Sequence, residues 1–173
     1  YDQHFTDPYA LADSYGERSL AWNQAVRSAL GLPDMVCVYE RVFYVGLTRT
    51  AIQNDCEYRQ RYSQLRAMEK DPRYLVVDAS EIEREDGIHF SQNGAARYSR
   101  AAVRLLKNSA RLAKLSYHAR MIAMRVIDSG FVPSDAGLAA CETFVASPEY
   151  PKLSYLFVPS LTAADPIDQE RLR

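Results

Sequence analysis

The sequence predicts an α/β fold in which helices cover a parallel sheet. Two short apolar runs rich in β-branched and aromatic residues carry the strand signal, Met35-Val-Cys-Val-Tyr39 and Tyr74-Leu-Val-Val-Asp78. Between them, Ile52 to Lys70 is charged and helix-periodic, with Tyr58, Tyr62, Leu65 and Met68 on one face. Strand, helix and strand in that order make a crossover unit, whose strands are parallel and whose connection is right-handed. At 173 residues, 47% hydrophobic and 25% charged, the chain is long enough to bury one real core, and its composition excludes disordered and collagen-like classes. The length fits one domain, or a compact domain with an appended helical segment.

Ahead of the first strand, Leu11, Tyr15, Leu20, Trp22, Val26 and Leu30 recur at mixed three- and four-residue spacings after Pro8. This predicts a helix over roughly 9–30, closed by Gly31 with Pro33 beyond it. Val42-Phe-Tyr-Val45 continues the strand signal toward Gly46. The middle helix stops before Asp71-Pro72, because the residue ahead of a proline avoids helical backbone. Ser91 is a candidate N-cap for a long helix over about 92–129 that Gly130 would end. Pro133, Pro148, Pro151, Pro159 and Pro166 then punctuate a shorter helix, at about 134–146, and an extended aromatic tail. The chain thus divides into an α/β region over 1–106 and a long helical, Pro-rich C-terminal extension over 107–173. The tail's Phe144, Tyr150, Leu153, Tyr155 and Phe157 suit either core packing or a protein partner gripped by residues 131–173. No run approaches the length of a membrane span. A start at Tyr1 without a charged-then-apolar leader suggests a processed, trimmed or partly represented polypeptide.

Several chemistries lack their residues. Cys37, Cys56 and Cys141 are widely spaced, which argues against a disulfide framework and a zinc site, and His4 and His118 have no ligand-type neighbours. No glycine-rich phosphate loop occurs, so neither a cofactor nor a metal is expected. Charge is unevenly spread although the net value is −1: between Ile88 and Val126 there are eight Lys/Arg and no Asp/Glu. Arg97, Arg100, Arg104, Lys107, Arg111 and Lys114 follow a three-four spacing that builds a positive helical stripe. Such a stripe suits RNA phosphates, anionic lipid headgroups or an acidic protein, or it is a solvated face paired with acids from elsewhere.

The segment after the second strand concentrates the chemistry. Asp86 and His89 lie three residues apart in a loop between a strand's carboxyl end and a helix start, where α/β proteins collect ligands and catalytic groups. An aspartate so placed holds one imidazole nitrogen, fixes the tautomer and stabilises the imidazolium formed when the ring takes a serine proton. The same residues also suit a plain Asp-Gly turn with a histidine beside a helix cap.

Asp86-Gly87-Ile88-His89-Phe90-Ser91, followed by Gly94, resembles the last block of the SGNH, or GDSL-like, hydrolase superfamily. Pro33-Asp34-Met35, Ile52-Gln-Asn-Asp-Cys-Glu-Tyr and Val77-Asp78 are similar to its carbohydrate O-acetylesterase branch, which includes sialate esterase-like proteins. The likeness spans about residues 18–106. It implies a three-layer sandwich with a parallel sheet, flavodoxin-like in layout, with Asp86 and His89 as the acid/base members of a triad. The substrate implied is an acylated small molecule or carbohydrate. Ala12-Asp13-Ser14-Tyr15-Gly16 echoes the family's Gly-Asp-Ser block, which makes Ser14 a candidate nucleophile. The strand that should precede it would be only Tyr9-Ala-Leu11, however, and helical spacing runs through Ser14. Asn54 echoes the Asn block but reads as a helix cap. Either the nucleophile lies on sequence outside this chain, or the chain is a catalytically silent SGNH-like subunit of a larger complex.

Overall fold

The computed structural model of the chain describes residues 7–40, 51–79, 82–86 and 89–150. The architecture is mixed α/β and mostly helical, with a small parallel sheet. In order, the elements are α1 (Pro8–Asp13), α2 (Tyr15–Leu30), β1 (Cys37–Glu40), α3 (Ala51–Lys70), β2 (Tyr74–Val77), α4 (Gln92–Leu112), α5 (Tyr117–Asp128) and α6 (Asp135–Val145). β1 and β2 pair in parallel, with Cys37 opposite Tyr74 and Glu40 opposite Val77. The strand signal at Val42–Val45 and the tail from Pro151 lie outside the described residues.

β2 is buried along its whole length, as a strand covered on both faces must be. Its Tyr74, Leu75 and Val77 join Leu105 and Leu112 of α4, Ala123 and Ile127 of α5 and Leu138 of α6 in one hydrophobic core. Tyr39 of β1 stacks on Tyr74, with ring centroids 4.3 Å apart, and its hydroxyl donates to buried Asn23 of α2. α1 and α2 pack on α3. At that contact Ser63 donates to Asp13 O (2.7 Å) and accepts from Gly16 N–H (2.8 Å), so the helices approach at a residue without a side chain. Beside the start of β2, Arg27 bridges to Asp71 at 2.7 Å and donates to Met35 O at 2.8 Å, tying the end of α2 to the strands.

Where the spans differ from the sequence reading, the cause is tertiary. The helix expected over about 9–30 is interrupted at Ser14 and ends, as expected, on Gly31 in left-handed backbone (φ 66°). Asn54 lies inside α3, not ahead of it. The helix expected over about 92–129 is two helices: α4 closes at Ala113 and α5 opens at Ser116, whose backbone N–H and hydroxyl both donate to Glu142 of α6. α5 therefore turns back onto the core instead of projecting from it. Its course is parallel to β2, since Arg120 near its start donates to Met68 O while Arg125 and Asp128 at its end meet Asp78.

Candidate functional site

The Asp86–His89 loop leaves the carboxyl end of β2 and returns to the start of α4. Its two shoulders are cross-linked by backbone: Arg84 and Phe90 form an antiparallel bridge, Glu85 N–H donates to His89 O (2.9 Å) and Ser91 N–H donates to Glu83 O (3.2 Å). Ser91 performs the capping expected of it. Its hydroxyl accepts from Gly94 N–H at 3.0 Å and donates to the Glu83 carboxylate at 2.9 Å. Gly94 presses on the same loop so closely that a Cβ there would stand 2.2 Å from Glu83 O.

Arg84 anchors this loop to the sheet. It bridges to Glu40 at the end of β1 at 2.8 Å and lies over the Phe90 ring, 4.2 Å from its centroid, while Phe90 stacks on Tyr98 of α4. Sequence reasoning did not single out Arg84. The only local signal is its place in the acidic run before Asp86, and its partner is 44 residues away.

Asp86 and His89 are together. One Asp86 carboxylate oxygen accepts the His89 backbone N–H at 2.7 Å, and the other lies 2.7 Å from His89 Nδ1. One carboxylate thus holds both the backbone N–H and the ring of His89. Nδ1 is engaged by Asp86, which leaves Nε2 as the nitrogen available to a reactant. The pair is open to solvent, with His89 78% and Asp86 53% exposed.

Ser14 is elsewhere. Its hydroxyl donates to Ala10 O at 2.8 Å, within its own helical turn, and not to His89. A groove lined by Leu20, Gln24, Arg27, Pro33 and Lys70 lies against Asp71, at the amino end of β2 and so at the opposite end of the strand from the dyad.

A second polar cluster sits where β2 ends. Asp78 pairs with Arg125, and its backbone N–H donates to Asp128 Oδ2 at 3.1 Å. Burial drives the Asp128 carboxyl up to about 6, against the lowering effect of the Asp78 N–H, and its Oδ1 is buried without a partner. The partners lie 47 and 50 residues apart, so no local pattern could reveal them.

The basic stripe is divided by the fold. Arg104 turns inward to donate to Ile127 O at 3.1 Å, and Arg111 reaches Asp135 (2.7 Å) and Pro133 O (2.8 Å), so these two fasten the α5–α6 connection. Arg97, Arg100, Lys107 and Lys114 are exposed. Among the described residues no His/Cys/Asp/Glu group could hold a metal, and no helix is long and apolar enough to cross a membrane. Compared with known proteins, the chain matches no family model, no curated protein and no solved structure, and the SGNH resemblance rests on its motif residues alone.

Proposed function

We propose that the chain carries the acid/base half of an SGNH-type serine ester hydrolase acting on an acylated carbohydrate. The observation that supports this is the Asp86–His89 pair, aimed through Nδ1 at 2.7 Å beyond the carboxyl end of a buried parallel strand. In this reading the sheet continues past β1 into a three-layer sandwich. His89 Nε2 takes the proton of a serine hydroxyl as that oxygen bonds to the ester carbonyl carbon. Asp86 stabilises the resulting imidazolium, and the ring returns the proton to the departing sugar oxygen. Water then releases the acyl group by the same steps in reverse order. The serine is one the described residues do not place against the ring.

The test is acetate release from an O-acetylated sugar, combined with labelling by a serine-directed fluorophosphonate. Turnover is expected to fall by about 10⁶-fold in His89→Ala and by about 10⁴-fold in Asp86→Asn, as for other triads, and the labelled serine identifies the nucleophile. The assay is run on the protein of the whole open reading frame, and a wild-type protein that neither turns over nor labels would overturn the reading. The second reading, a silent structural subunit that grips neighbours through the basic helix and residues 131–173, draws support from the Ser14 hydroxyl being committed to Ala10 O.

A further inference from the structure

α4 is apolar where a surface helix should be polar. Its core face is formed by Ala101, Leu105, Asn108 and Leu112, all buried. Directly opposite, at seven-residue intervals, stand Ala96, Val103 and Ala110, all exposed, with Leu106 and the small Ser99 beside them. Val103 and Leu106 are 47% and 44% exposed. A surface helix ordinarily puts its charges on that face. Here the charges form one row along its edge, Arg100 and Lys107 within the helix and Lys114 just past its end, again seven residues apart. The other flank, Ala95, Ala102 and Ser109, is uncharged.

We infer that this face is a docking seam for an acidic amphipathic helix of another protein. The pattern is that of a coiled-coil surface: small and apolar residues at the two seam positions, and cations at one flanking position of each heptad. A partner helix laid along it packs apolar side chains over Val103 and Leu106 and sets Glu or Asp against Arg100, Lys107 and Lys114. A second copy of this chain does not fit. Antiparallel, the cation rows would face each other, and parallel, they would face Ala95, Ala102 and Ser109. Two large apolar side chains are too few for insertion at a lipid interface, and the seam has no aromatic platform for nucleic-acid bases. Arg104 and Arg111, held by Ile127 O and Asp135, stand outside the seam and fix the helix that presents it.

The experiment uses the whole chain and fluorescein-labelled 21-residue peptides, one with Leu and Ala at the seam positions and Glu at the flanks, and a sister with Lys at the flanks. Fluorescence anisotropy is expected to show saturable binding of the acidic peptide, at least about tenfold tighter than the basic one and weakened by salt. Arg100→Glu with Lys107→Glu should reverse that preference, and Val103→Ser with Leu106→Ser should weaken both peptides by about tenfold. These side chains are exposed, so far-UV circular dichroism should be unchanged in all variants. The inference is overturned by no saturable binding, or by affinities that the variants leave unaltered. It is equally overturned if a uridine oligoribonucleotide or phosphatidylserine vesicles bind this face more tightly than the acidic peptide, or if the chain dimerises through it.

Discussion

Gly94→Ala separates two effects that act in opposite directions. Alanine in place of glycine in a helix is favourable by up to about 1 kcal/mol. At Gly94, however, the new Cβ would stand 2.2 Å from Glu83 O and 3.2 Å from Glu83 C. Ordinary contact requires well over 3 Å, so helix or loop must shift by about 1 Å or more. The obstacle is a backbone carbonyl, which cannot rotate away. Overpacking of this kind costs about 1–3 kcal/mol, and displacing Glu83 also weakens the Ser91 N–H bond to its carbonyl, worth about 1 kcal/mol. The net expectation is a loss of about 2–3 kcal/mol, or roughly 5–10 °C in Tm for a chain of this size. Gly137→Ala is the matched control. Gly137 occupies the same position behind a serine cap, Ser134, but its nearest contact is Pro133 Cβ at 3.2 Å, so its variant should be close to neutral. Urea unfolding followed by circular dichroism measures both, and the His89 ring ¹⁵N shifts report whether the loop has let go of the imidazole. A Gly94→Ala protein as stable as its Gly137→Ala counterpart would refute the reasoning.

Gly16→Ala should be costlier still, since its Cβ would lie 1.9 Å from Ser63 O and force α2 off α3; a thermal melt at or above the wild-type Tm would contradict this. Asp128 titrates near 6 when folded, against an ordinary value of 3.8, so the folded state holds the extra proton between those values. Its favourable contribution is complete below about pH 4 and is lost as pH rises through about 6, at most about 2–3 kcal/mol. Asp128→Asn keeps an acceptor for Asp78 N–H and should gain stability relative to wild type at pH 7.5 but not at pH 4, a difference urea titrations at the two pH values would reveal or exclude. Arg120 is 3% exposed, its Nε is buried without a hydrogen-bond partner, and burial lowers its pKa. Arg120→Met should therefore be neutral or stabilising by about 1 kcal/mol, whereas Arg120→Ala, which leaves a cavity, should cost about 2–4 kcal/mol; a Met variant as damaged as the Ala variant would show that the guanidinium is needed where it is.

What could be read from the sequence was local. The Gly31 stop, the Ser91 cap and the apolar runs at Cys37–Glu40 and Tyr74–Val77 each follow from a residue's own backbone preferences or from neighbours within a turn. The break between α4 and α5 did not, because no glycine or proline marks it, and the carboxylate that receives the Ser116 N–H at the start of α5 belongs to Glu142, 26 residues on. Likewise the Asp86–His89 contact was legible at a spacing of three residues, while the Arg84–Glu40 bridge that seats its loop and the Asp78–Arg125 pair at the strand end were not. The positive stripe shows the same limit. Spacing alone put six cations on one helix, and only packing against the α5–α6 connection separates Arg104 and Arg111, which hold the fold, from Arg100, Lys107 and Lys114, which face outward.

The dependence of α5 on Glu142 also orders events during synthesis. A nascent chain released only as far as α5 has no carboxylate to receive the N–H at that helix's leading end, and although Ala123 and Ile127 already meet β2 and α4, their core lacks Leu138 until α6 emerges. Completion of the bundle is thus timed by its last described helix, and a released chain cut short before residue 142 would leave the side of α5 that α6 covers open to chaperones.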